Sequence, residues 1–251
     1  MTSAMWSAFT TRVNNRLARH LRAVTHRWPA GRPMVSFTFD DIPQSAASVG
    51  APMLEEFGGR GTFYVSGGLV NRWSGHWDGV TPDGIVALHR CGHEIACHTF
   101  SHRPAVDLDA AALAEEAETN RRYLHTLDPS IEIENFAYPY GVGSVFRKGQ
   151  LKRMFRSSRG IIPGVNAGHI DLHFLRATPL IEPHLDAQGV ERVFDEALAS
   201  GGWLIFYSHD VTEQPSPYGC TPQLLRRALE AAARRNMPIV SVATALKYAD
   251  A

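Results

Sequence analysis

Two adjacent aspartates, Asp40 and Asp41, end the first strongly apolar stretch of the chain. The lead-in at residues 34–39 is short, follows Pro33 and is rich in β-branched and aromatic residues, which is the pattern of a buried strand. Two carboxylates at a strand end repel each other, and at least one of them faces the interior or a cleft. A turn capping the next helix would account for a bare Asp-Asp. A metal ion offers a second account, in which one carboxylate ligates and its neighbour stays beside the ion as a base. A second stretch, residues 92–102, decides between them. It reads as another strand ending in His98 and His102, four residues apart. Two imidazoles and one carboxylate form a facial ligand set with open positions for water and substrate. Asp41, His98 and His102 are therefore the expected ligands, with Asp40 as the remaining base. A late apolar strand, residues 204–208, delivers His209 to the same kind of position. A histidine opposite a base is what acyl cleavage needs to protonate a leaving amine. Parallel α/β sheets and barrels collect such groups at strand C-termini.

With these residues in place, the ordered segments Thr38-Phe39-Asp40-Asp41, His98-Thr99-Phe100-Ser101-His102, Phe136-Ala137-Tyr138-Pro139-Tyr140-Gly141 and Ser208-His209-Asp210 resemble the motifs of the polysaccharide deacetylase family. These are carbohydrate esterases with a chitooligosaccharide-deacetylase (NodB-like) domain. The resemblance covers residues 34–248. It implies an irregular (β/α) barrel of about seven strands, where periodicity alone says α/β alternation. It also implies the backbone N–H of Tyr140 at an oxyanion hole and Pro139 beside the substrate. Two departures stand out. Family members commonly carry an arginine just before the proline motif, paired with the base, and here Ala137 or its neighbour Phe136 occupies that place. Arg159, at the end of a helix or the start of a strand, is a candidate to supply the charge from elsewhere. Residues 161–166 also replace the Asp-and-Trp motif with which many relatives orient the acid histidine, and Asp171 is badly spaced for that role.

The elements that must position these residues follow from turn and cap signals. Helices are expected over 45–57, 82–90, 107–127, 190–200 and 222–235, and strands over 61–66, 135–141, 175–181 and 239–242. Trp73 and Trp77 lie in a glycine-interrupted loop, where indoles would stack on sugar rings or fill a satellite core. Together with Pro139, Tyr140 and Arg159 they complete the candidate substrate-side set. The acidic run Glu115-Glu116-Glu118 complements a helix dipole and is assigned no role.

The chain has 251 residues, 44% hydrophobic and 20% charged, with a formal net charge of zero, which suits one α/β domain at 34–251 and argues against nucleic acid. Residues 1–33 differ: they hold six arginines from Arg12 to Arg32 and no acidic residue. Val13, Leu17, Leu21 and Val24 recur at helical spacing, so a basic helical extension is expected over 7–25. Packing on its own barrel or on a second subunit is preferred to contact with anionic lipid. Cys91, Cys97 and Cys220 form no Cys-x-x-Cys pair, and no signal peptide or membrane span is visible, so a reduced cytoplasmic chain is expected.

The chemistry implied is hydrolysis of an N-acetyl group on an acetylated sugar or oligosaccharide, with an O-acetyl ester as the easier variant. One divalent ion, zinc by preference, would be held by Asp41, His98 and His102, with Asp40 as base, His209 as acid and Tyr140 at the oxyanion. The alternatives are a metal-dependent amidase on a small non-sugar amide and a catalytically silent sugar-binding protein.

Overall fold

Short apolar runs that each end in polar residues build a parallel sheet whose C-terminal edge gathers those polar ends. The computed structural model describes residues 3–21, 25–29 and 31–250. A helix, α1 (Ser3–His20), and a short strand, β1 (Thr25–Arg27), precede β2 (Met34–Asp40), which is buried along its whole length. Then come α2 (Ala51–Glu56), β3 (Thr62–Val65), α3 (Pro82–Arg90), β4 (Glu94–Cys97), α4 (Ala110–Leu127) and β5 (Asn135–Ala137). The chain continues with α5 (Val145–Met154), β6 (Ser157–Arg159), β7 (His169–Asp171), β8 (Thr178–Pro179) and α6 (Ala187–Ser200). It closes with β9 (Trp203–Ser208), α7 (Pro222–Arg234) and α8 (Val242–Asp250).

Among the described residues seven strands form one parallel sheet in the order β6-β5-β4-β3-β2-β9-β8, curled into a half-barrel. Register places the ends. Phe39 of β2 lies beside Ser208 of β9, so Asp40 and His209 leave the sheet at the same level. On the other side Asp40 is level with Tyr64 of β3. Stacked rings such as Phe37 on Phe206 and Phe39 on Phe63 fill the layer between strands and helices. Helix starts follow their caps: Thr81, Asp109, Asp186 and Thr221 each accept a bond from the third residue on.

Two expected strands come out differently. Residues 175–181 do not run as one strand, because the segment changes partner midway. Leu175 bridges to Arg159 of β6, and Thr178–Pro179 then pair with β9, so the segment links both edges of the sheet. Residues 239–242 contribute a single bridge, Ile239 to Val35. The chain then turns into α8, whose first amides are taken by Thr62 and Glu94. The 45–57 helix begins as a π-helix at Ala46–Gly50.

The N-terminal helix lies along α5 and ends at His20; Arg22 and Val24 of the expected helix are outside the described residues. Asn14 accepts the Val145 amide, and Lys148 donates to the carbonyls of Ala18 and Leu21 while pairing with Asp171. Arg12, Arg16 and Arg19 face solvent. Among the described residues no helix is long and apolar enough to cross a membrane.

Candidate active site

Strand ends become a site only where the backbone turns their side chains to one point. Among the described residues seven non-glycine residues have positive φ, and five of them, Asp41, Ile42, Thr99, His102 and Tyr140, sit at this sheet edge. Backbone strain of this kind concentrates at functional sites. Gly141 also has positive φ, and a Cβ there would meet Ile161 at 2.1 Å, so only glycine lets the Tyr140 turn pass that side chain.

The turns bring Asp41, His98 and His102 together, with one ligand atom from each lying within 4.8 Å of the others. His98 Nδ1 donates to the carbonyl of Ala137 at 2.9 Å, which leaves Nε2 with its lone pair facing Asp41 Oδ1 at 3.8 Å. His102 Nε2 lies 3.3 Å from the same oxygen. Burial holds both imidazoles neutral, His98 down to about 3 and His102 down to about 4. Asp41 is pushed up to about 7, by burial first and by the charge of Asp40 second. Among the described residues its buried Oδ1 has no hydrogen-bond partner. Lone pairs facing an unpartnered carboxylate oxygen are repulsive until a cation lies between them, so these residues fit a divalent ion. Glu116 braces the turn, accepting the amides of Phe100 and Ser101 and the Ser101 hydroxyl. Sequence reasoning missed this role because the acidic run reads equally well as dipole compensation.

Asp40 sits behind the triad, 5% exposed. Arg159, fully buried, donates through Nη2 to both of its oxygens, 2.5 Å from Oδ2. Burial, the largest single influence, raises the carboxyl's pKa, but Arg159 together with His98 and His209 outweighs it, and the net shift is downward. The route of this arginine is informative. It is the register partner of Ala137 on the next strand and reaches Asp40 across the inside of the curled sheet. The methyl side chains of Ala96 and Ala137, packed beside Tyr64, leave that space open. The guanidinium lies 5.0 Å from the ring centroid of Tyr64 and 5.4 Å from that of Tyr207. The arginine that the sequence offers only as a candidate for this charge, with an exposed position favoured, is fully buried against Asp40.

His209 completes the mouth. Nδ1 is 3.1 Å from the carbonyl of Tyr218 and donates to it, leaving Nε2 as the free ring nitrogen. Trp77 packs on the ring at 5.3 Å between centroids. Burial lowers the imidazole's pKa, opposed by Asp40 and by the Tyr218 carbonyl.

A cavity of about 640 Å³ opens between these groups. Asp40, Asp41, His98, His102, Tyr140, His209 and Trp77 all line it. Its walls include Leu69, Ile161, Pro179, Ile181 and Tyr207, and His76 and His184 stand at its surface, none of them signalled by a motif. Three candidates do not line it. Trp73 is 65% exposed in the outer part of the loop, Pro139 is buried beneath Tyr140, and Arg159 acts only through Asp40. Cys97 is buried and receives a bond from Asn120, facing away from the ligands as strand alternation requires.

The family model described as polysaccharide deacetylase matches residues 28–152, the span that carries Asp40, Asp41, His98, His102 and the Tyr140 turn. Over that span the chain carries a polysaccharide deacetylase domain. It is 26% identical over 145 residues to a bifunctional xylanase/deacetylase of Pseudobutyrivibrio xylanivorans, a match covering 53% of this chain and 22% of that protein. The chain thus spans about a fifth of that relative's length. Among solved structures it is similar to PdaA of Bacillus subtilis, a family 4 carbohydrate esterase, with 13% identity and a TM-score of 0.64 over 93% of this chain and 88% of that one. It is also similar to a family 4 acetyl xylan esterase from Clostridium thermocellum in complex with a cobalt ion. That match has 19% identity and a TM-score of 0.58, over 86% of this chain and 91% of the other. Within this deacetylase frame the expected arginine before the proline motif is absent, and Arg159 lies in register with the vacated position.

Proposed function

We propose that the protein is a metal-dependent hydrolase that removes acetyl groups, N-linked by preference, from a carbohydrate. The observation that carries this reading is the convergence of an ion-fitting Asp41–His98–His102 set with an ionised Asp40 and an oriented His209 on one cavity. In this reading residues 34–251 are one catalytic domain and residues 1–33 an appended helical extension.

Asp41, His98 and His102 would hold a divalent ion, zinc by preference for a mixed imidazole and carboxylate set, which would lower the pKa of a bound water to about 7 and polarise the acyl oxygen. Asp40, kept ionised by Arg159, accepts the proton of the attacking water. Tyr140 turns its backbone toward the acyl oxygen at the rim. His209, with Nδ1 tied to Tyr218 and the ring in its protonated form, delivers the Nε2 proton to the departing nitrogen as the C–N bond breaks. Acetate and a free amino sugar result. Trp77 and the apolar wall exclude water and offer a flat face to a pyranose ring.

Acetate release from a panel of N-acetylated oligosaccharides, O-acetylated xylan fragments and small amides, with and without chelator, tests the reading. Chelator-sensitive release from the sugars is expected, with His102→Ala losing both bound metal by elemental analysis and turnover. Full metal content in that variant, or turnover confined to small non-sugar amides, would overturn it.

A further inference from the structure

Among the described residues no carboxylate bonds Nδ1 of the proposed acid histidine; a backbone carbonyl takes that place, and a carbonyl is only as well placed as its loop. Tyr218 lies in the loop between β9 and α7, and this loop is wound round the residue next to His209. Asp210 is 4% exposed and spends both carboxylate oxygens on one serine. Oδ1 accepts the Ser216 hydroxyl at 2.6 Å and Oδ2 accepts the Ser216 amide at 2.8 Å. The same hydroxyl oxygen accepts the Tyr218 amide at 3.1 Å. The Asp210 carbonyl accepts the Cys220 amide at 2.9 Å, closing the loop behind it. The wrap is tight: a Cβ on Gly219 would meet Asp210 Oδ1 at 2.3 Å. Among the described residues Asp210 has no cationic partner, so its charge is satisfied entirely within the loop.

We infer that Asp210, through Ser216, is the positioning residue that fixes the Tyr218 carbonyl and with it the ring orientation of His209. The chain from Asp210 to Ser216 to Tyr218 to His209 Nδ1 takes the part of a carboxylate bonded directly to the imidazole. Pro215 and Pro217 stiffen the loop on either side of the serine. The inference rests on the proposed acid role of His209, and its test separates the two.

Asp210→Asn and Ser216→Ala, with Ser216→Thr as the hydroxyl-retaining control, are assayed on an N-acetylated oligosaccharide and on p-nitrophenyl acetate. The acetamide needs its leaving nitrogen protonated, whereas p-nitrophenolate departs without a proton. Expected is a fall in kcat of about 10- to 100-fold on the acetamide for Asp210→Asn and Ser216→Ala. KM, metal content and aryl-ester turnover should stay near wild type, and Ser216→Thr should keep both activities. Equal losses on both substrates, the signature of a merely structural loop, would overturn the inference, as would no loss on either. The nitrogen shifts of the His209 ring, read by NMR on the same proteins, do not depend on turnover. An Nδ1–H tautomer in the wild type that becomes mixed in Asp210→Asn supports the inference; an unchanged tautomer overturns it. A wild type inactive on every acetamide but showing that tautomer change would sink the deacetylase reading and leave the positioning intact.

Discussion

Two carboxylates sit at opposite ends of the same sheet, and their pKa values are displaced in opposite directions. Asp40 leaves the C-terminal end of β2 and Glu94 opens the N-terminal end of β4. Desolvation raises the pKa of both. At Asp40 the guanidinium of Arg159, with His98 and His209, reverses that shift. Glu94 meets only neutral donors, namely Asn135 at 2.6 Å and Thr62 and the Ala243 amide at 2.8 Å each, and its pKa stays raised. Three hydrogen bonds suffice to hold a carboxyl in place and join α8 to the sheet. A fixed cation helps to keep one charged, and the fully buried Arg159 stands at the end where the proposed base lies.

The largest expected difference between the two ends is catalytic. Asp40→Asn should lower kcat by about 10²-fold or more, the scale of a lost general base, while retaining metal. Glu94→Gln should leave kcat within about threefold, since nothing it touches reaches the cavity. Comparable losses in steady-state assays of the two variants would erase the distinction drawn between the ends.

A smaller effect sharpens the role of Arg159. Removing a cation that favours the carboxylate raises the carboxyl's pKa, so Arg159→Met should move the acidic limb of the kcat/KM profile to higher pH at matched metal loading. Breaking the buried pair should also lower stability by several kcal/mol, roughly 3–5. An unmoved limb would show that Asp40 owes its ionisation to the bound cation alone.

Glu94 carries its own pH signature in stability. Its folded-state pKa lies above the ordinary value of 4.5, so the folded state holds the proton more tightly than the unfolded chain. Its contribution is therefore complete below about pH 4.5 and declines as pH rises through the folded-state pKa. Urea unfolding of wild type and Glu94→Gln at several pH values should show a wild-type advantage that shrinks toward neutrality; a growing advantage would mean that Glu94 is bound as a carboxylate.

The smallest change touches only the setting of the cation. Tyr207→Leu removes one of the two rings flanking the Arg159 guanidinium, a contact worth about 0.5–2 kcal/mol. It should shift the acidic limb in the same direction as Arg159→Met but by a fraction of a unit.

Much of this site was legible in the chain, and the reason is geometric. Asp40–Asp41, His98–His102 and His209 stand directly after short apolar strands, and a parallel sheet delivers such ends to one edge whatever the helices do. Those residues, the alternating elements and the excess of arginine near the N-terminus follow from local pattern alone. Other features depended on the fold. Arg159 is 119 positions from Asp40, and whether it faces solvent or the base is set by the curl of the sheet and by the room that Ala96 and Ala137 leave. The segment at 175–181 reads as a strand because its residues suit one, yet its partners change at the closing edge of the barrel. The partner of His209 is a backbone carbonyl, present in every residue and so unmarked by any residue type. Side-chain chemistry next to a strand end is written in the sequence; a charge borrowed across the sheet, or an acceptor supplied by a loop, exists only once the chain has closed around it.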